Sequence, residues 1–104
     1  MVSSKYAVRF LPTFEKDLES AVDYIQYQLN NPTAAAKFID EVESAIYKRS
    51  TCPTAFEPYR SAKERRNLYY RIYVKNYIIF YVVIDDVMEV RRLLYHRQNV
   101  RKSI

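Results

Sequence analysis

The residues best equipped for chemistry stand near the C-terminal end of the chain. His96, the single histidine, lies beside Arg97, with Arg91 and Arg92 just before it and Arg71 in the preceding tyrosine-rich run. An imidazole titrates near neutral pH and serves as a general acid or base, and arginines hold phosphates or carboxylates. A histidine ending a strand in solvent has the same sequence signature, so His96 counts only if a partner group converges on it. Tyr69, Tyr73, Tyr77 and Tyr81 offer a second chemistry, a platform on which nucleobases stack. Eleven tyrosines in a chain without tryptophan are equally well explained as core fillers with a polar tip, and Tyr70 is assigned to the core. Cys52 precedes a proline and has no orienting partner that would make it a nucleophile.

Several classes are excluded outright. The chain has no glycine, so the phosphate-cradling loops that need a bare backbone are ruled out, and nucleotide cofactors with them. One cysteine and one histidine leave no zinc ligand set, so no metal and no small-molecule cofactor are expected. No apolar run approaches the roughly 18 residues of a membrane span. Met1 to Arg9 is polar and charged where a secretory leader would be apolar, so a cytoplasmic protein is expected.

The net charge of +5 is unevenly spread. Residues 1–59 carry six basic and eight acidic side chains, and residues 60–104 carry eleven and four. A basic half on a mildly acidic half points to a polyanionic partner, nucleic acid or an acidic protein segment.

The elements that must position these groups follow from periodicity. Residues 1–104 read as one domain, long enough to bury a core without staples. Lys5 to Leu11 alternates as a short strand, with Tyr6, Val8 and Phe10 on one side. Pro12 stops it, and Thr13 is the expected N-cap of a helix opening at Phe14. Phe14, Leu18, Ala21, Val22, Ile25 and Leu29 form its apolar stripe, while Asp17, Glu19 and Asp23 face solvent or a partner. Asn31 caps a second helix with Pro32 in its first position, running to about Arg49 over Ala35, Phe38, Ile39, Val42, Ala45 and Ile46. Ser50 to Asn67 reads as loop.

Three strands follow, at about 68–75, 77–84 and 87–95, with tight turns at Lys75-Asn76 and Asp85-Asp86. Asn76 is expected to take the left-handed conformation of the first turn. Tyr77 to Ile84 is apolar on both faces and should be central. In the strand before it, Leu68, Tyr70, Ile72 and Val74 should face the helices. The expected fold is α+β in two layers, β-α-α-β-β-β: an N-terminal strand, an antiparallel helix hairpin, then a three-stranded antiparallel sheet.

Those elements carry a family resemblance in Phe10-Leu-Pro-Thr-Phe-Glu-Lys-Asp-Leu18, Asp23-Tyr-Ile25 and Asn31-Pro-Thr-Ala-Ala-Ala-Lys-Phe38. It continues through Tyr70-Arg-Ile-Tyr-Val-Lys-Asn-Tyr-Ile-Ile-Phe-Tyr81, Asp85-Asp86 and Val90-Arg-Arg-Leu-Leu-Tyr-His-Arg97. In this order they resemble the RelE/ParE superfamily of type II toxin–antitoxin toxins, over almost the whole chain. The resemblance implies a small cytoplasmic toxin held by a cognate antitoxin that wraps an acidic or amphipathic segment over it. Arg91, Arg92, Tyr73 and Tyr95 are the expected partner-binding residues.

The superfamily has two branches. RelE-like members cut mRNA on the ribosome, and that branch would make Arg71, His96 and Arg97 catalytic, with Glu57 or Glu64 as base. ParE-like members are associated with inhibition of DNA gyrase. Here Tyr73 stands where the nuclease branch commonly has lysine, Ile78 where it has arginine, and no tyrosine follows Tyr95. The chain therefore resembles ParE more closely. The nuclease and an inactive, antitoxin-binding member are the alternatives.

Overall fold

The computed structural model describes residues 6–59 and 67–96. Arg97, Glu64 and the basic run 60–66 lie outside the described residues.

Strand β1 (Ala7–Phe10) is shorter than the alternation predicts, but Tyr6, Val8 and Phe10 pack against the core as expected. Helix α1 (Pro12–Asp23) opens one residue before the expected N-cap, with Leu11 capping and no side-chain cap bond. The ring of Pro12 already holds the helical φ, so entry needs no hydroxyl. Thr13 lies inside the first turn, and its Oγ1 donates to the Arg91 carbonyl at 2.8 Å.

Phe14 and Ala21 are buried, and Leu18, Val22 and Ile25 pack around them. Leu29 departs from the predicted stripe and is 56% exposed. The cause is a π-helical turn over Tyr24–Gln28, in which the Leu29 N–H donates to Tyr24 O at 3.1 Å, five residues back. The extra residue in that turn rotates Leu29 off the face.

Helix α2 (Pro32–Arg49) begins as predicted: the Asn31 side chain accepts from the Ala34 N–H, and Pro32 occupies the first turn. Ala35, Phe38, Val42 and Ile46 are buried on its inner face. Each of the larger three contributes about 1.5–3 kcal/mol of apolar burial.

Strands β2 (Tyr70–Val74), β3 (Tyr77–Ile84) and β4 (Val87–Tyr95) stand where the sequence places them. The sheet itself has four strands in the order β1-β4-β3-β2, with β1 parallel to β4. It is therefore mixed, because the chain leaves β1, crosses through both helices and two strands, and returns alongside it. Lys75 and Asp85, not Asn76, adopt positive φ (55° each). Favoured two-residue hairpin turns need positive φ at their first central position, whichever residue stands there.

β3 is apolar on both faces. Ile79 and Tyr81 join the helix-side core with Tyr70, Ile72, Val74, Met88, Val90 and Leu93. Ile78, Phe80 and Val82 form a second cluster with Tyr69 and Leu94 on the opposite face. Leu68 belongs to neither and is 63% exposed, since the strand begins at Tyr70.

β1 pairs with β4 only as far as Phe10↔Val90, which leaves the next stretch of the β4 edge to be satisfied from α1. Leu11 N–H donates to Val90 O at 3.0 Å, Thr13 to Arg91 O, and Leu93 N–H to Asp17 Oδ2 at 3.0 Å. Asp17 also takes Arg92 Nε at 2.7 Å and Nη2 at 3.1 Å. Of the three acids expected on the outer face of α1, Asp17 instead bolts the helix to the strand.

Candidate functional site

The face of the sheet turned away from the helices carries Arg71, Arg91 and, at its edge, Arg92. A β-bulge in β4 brings the last two together. Tyr81 pairs with Val90 but Phe80 with Arg92, leaving Arg91 as the extra residue. The alternation shifts at that point, so Met88 and Val90 face the helices before the bulge and Leu93 after it.

Arg91 turns to the outer face, where its Nε donates to Glu89 Oε1 at 2.8 Å and its Nη1 to the Tyr69 hydroxyl at 3.1 Å. Glu89 also takes Arg9 of β1, at 2.9 Å. Burial alone would raise the Glu89 pKa, but hydrogen bonds and charge from Arg91 and Arg9 outweigh it and hold the carboxyl below its usual range. The stability this adds is complete above the ordinary value of 4.5 and is lost as pH falls through the depressed folded value. Thermal unfolding from pH 7 to pH 3 should therefore show an acid limb that flattens in Glu89→Gln.

Arg71 lies on the same face, its guanidinium 5.1 Å from the Tyr59 ring centroid and 5.9 Å from that of Tyr73. Arg92, in register with Phe80, reaches over the β4 edge to Asp17. His96 is exposed, and its backbone N–H donates to Asn76 O at 2.7 Å, one step past the end of β4.

The register therefore separates the candidates. Arg71 pairs with Phe80 and His96 follows the Tyr77↔Tyr95 row, four residues along and two strands across. Strand spacing converts that to roughly 16 Å between Cα positions, beyond direct hydrogen bonding. Glu57 is exposed in the loop after α2, and the exposed Cys52 is a free thiol. No cluster of metal-ligating side chains exists among the described residues, and no helix among them is long and apolar enough to cross a membrane.

The four tyrosines of the expected stacking platform fall on two faces. Tyr69 and Tyr73 lie on the outer face, the first buried in its apolar cluster and the second exposed, whereas Tyr81 is fully buried and Tyr77 half-buried on the helix side. The pairs Tyr69/Tyr73 and Tyr77/Tyr81 sit on different strands whose registers put them in opposite phase. Tyr70 is core, as predicted, stacked on Tyr81 at 5.3 Å. Tyr95 lines a cleft of about 330 Å³ with Tyr24, Tyr77, Phe38 and Leu29, at the end of the molecule that holds the π-helical turn. Burial, then the neighbouring Tyr95 and Tyr24, raises the Tyr77 phenol above its usual value.

Sequence reasoning missed Arg9, Glu89 and Arg49. Glu89 could have been found: it is the single acid within β4 and precedes Arg91 by two, the spacing that shares a strand face. Nothing local marks Arg49, which crosses 32 residues to give its Nη1 to the Tyr81 hydroxyl at 2.9 Å. That hydroxyl in turn donates to the Pro53 carbonyl at 2.6 Å.

Comparison with known proteins fits this architecture. Residues 8–100 match the family model of the ParE toxin of the type II toxin-antitoxin system, parDE. Among solved structures, the chain is similar to the chromosomal ParDE toxin-antitoxin system from P. aeruginosa, at 11% identity and a TM-score of 0.71, over 88% of this chain and 96% of that one. It is also similar to the RelB-RelE antitoxin-toxin complex from Methanococcus jannaschii, at 26% identity and a TM-score of 0.46, over 91% and 92% of the two chains. No curated protein sequence matches.

Proposed function

The chain belongs to the ParE toxin family of type II toxin–antitoxin systems, and from that premise we propose that it arrests growth by binding a cellular target such as DNA gyrase. The observation that carries this reading is the state of the outer sheet face. Arg91 is held by Glu89 and Arg92 by Asp17, and Ile78 is 7% exposed in an apolar cluster where the nuclease branch has an arginine. A phosphoryl-transfer site needs cations aimed at the developing charge. Here two of the candidate cations are spent on the fold, and Arg71 and His96 stand apart. Such a surface suits recognition better than cleavage.

The cognate antitoxin is the second partner, and both act in the cytoplasm. Tyr73 is 59% exposed on the outer face and Tyr95 is 37% exposed on the helix side. A partner touching both, together with Arg91 and Arg92, has to wrap around the sheet, which is how an antitoxin segment would cover its toxin.

Brief induction of the chain alone, followed for protein synthesis and for plasmid supercoiling, separates the readings. Loss of supercoiling with a DNA-damage response while translation continues is expected. Rapid translational arrest with codon-specific mRNA cuts would overturn the gyrase reading in favour of the ribosome-dependent endonuclease. In the same assay His96→Ala and Arg97→Ala should keep full toxicity, because the proposed action needs no acid–base group.

A further inference from the structure

Arg9, Arg91 and Arg92 each hold a carboxylate. Arg49 and Arg71 make no ion pair among the described residues, and they flank the same strand edge. β2 is an edge strand of the sheet. Tyr69 O accepts from Tyr59 N–H at 2.6 Å and Arg71 O from Arg49 Nη1 at 3.2 Å, so both carbonyls point away from β3. In an antiparallel ladder the N–H and C=O of a residue point the same way, and the direction alternates along the strand. The N–H of Arg71 and both backbone groups of Tyr73 therefore face outward, with no partner among the described residues. An open edge of this kind is a template for another strand.

The two guanidinium groups approach this edge from opposite layers. Arg49 comes from α2, stacked 3.5 Å from the Phe56 ring centroid, whereas Arg71 projects from the outer face against Tyr59 and Tyr73. Stacking orients a guanidinium through its plane and leaves its edge donors available. The Arg71 carbonyl keeps a second lone pair for a further donor.

We propose that the β2 edge seats an extended acidic strand of a partner protein, with consecutive carboxylates on that strand taken by Arg71 and Arg49. Adjacent residues of a strand project to opposite faces. A carboxylate opposite Arg71 thus lies on the outer face, and its neighbour turns toward Arg49 in the helix layer. The identification of that partner as the antitoxin rests on the toxin–antitoxin reading above; the strand-and-carboxylate chemistry does not.

The probes are blocked synthetic peptides, one of sequence Thr-Val-Glu-Glu-Val-Thr and one with both Glu changed to Gln, alongside a short polyuridylate. Each is titrated into the full-length chain with backbone amide NMR as readout. The Glu-Glu peptide should shift the amides of Arg71 and Tyr73 first. Replacement by Gln-Gln, or Arg49→Gln or Arg71→Gln in the protein, should weaken it by about tenfold or more, the worth of one charge-assisted hydrogen bond. Lys16→Gln, on the exposed side of α1, should change nothing. Equal binding of the Gln-Gln peptide, shifts centred away from β2, or preference for polyuridylate would each overturn the proposal. The peptide comparison on the unmodified chain decides the matter even if an arginine variant misfolds. Where a short acidic protein is encoded beside this chain, peptide binding without neutralisation of the chain by that protein would sink the identification of the partner as the antitoxin and leave the edge intact.

Discussion

Phe80→Ala should unfold the outer half of the core, lowering stability by about 3–5 kcal/mol and Tm by on the order of 20 °C. Phe80 is fully buried on the face away from the helices, where its ring meets Tyr59 at 5.4 Å and Tyr69 at 6.5 Å, edge-on in both cases. Truncation leaves a cavity between β2 and β4 that these two rings are too constrained to fill. Tyr59 is tied to the sheet by its bridge to Tyr69, and Tyr69 by its bond to Arg91. Phe80→Leu, which keeps most of the volume, should recover more than half of the loss. Chemical denaturation of the two variants checks this directly. A Phe80→Ala cost below about 1 kcal/mol would mean that the outer cluster is no true core.

Asp17→Ala is the second large effect, with an expected cost of about 2–3 kcal/mol after discounting for partial exposure. The Asp17 and Arg92 side chains are 18% and 28% exposed. One carboxylate there receives both guanidinium donors and the Leu93 amide. Its removal leaves that amide without an acceptor, at the point where β4 has no β1 neighbour. Asp17→Asn keeps one acceptor oxygen and should cost roughly half as much, because it loses the charge but not the amide bond. Hydrogen exchange separates the two. In Asp17→Ala the Leu93 amide should exchange much faster than that of Ile79 in β3, whereas in Asp17→Asn both should remain protected. Equal protection in the two variants would show that α1 docks through its apolar stripe alone.

Much of the candidate site was visible before any fold was known, but not its connections. Arg71, Arg91, Arg92, Tyr73 and Tyr95 are recognisable because arginine and tyrosine interleave with β-branched residues in a strand-like run. Their partners are not, because Asp17 lies 75 positions from Arg92 and Arg9 lies 80 from Glu89. No local pattern reports contacts over such separations. The bulge at Arg91 is likewise silent in the chain: its single extra residue puts Arg92 on the outer face and Leu93 on the helix side, and alternation read without it reverses both.

The order of the elements, the start of α2 and the two hairpin turns are written locally in the chain. Pro12, Asn31-Pro32 and the two hairpin turns act within a few residues, through φ restriction and capping, so their effect is legible in place. The central place of β3 is legible too, since an eight-residue run apolar on both faces suits no sheet edge. The parallel pairing of β1 with β4, the division of the tyrosines between two faces and the choice of arginines consumed by carboxylates arise only on folding. Those outcomes depend on strand pairing, which assigns each side chain a face and a neighbour. That is how a sheet edge comes to lie between Arg49 and Arg71, two residues that no motif connects and that no carboxylate holds among the described residues.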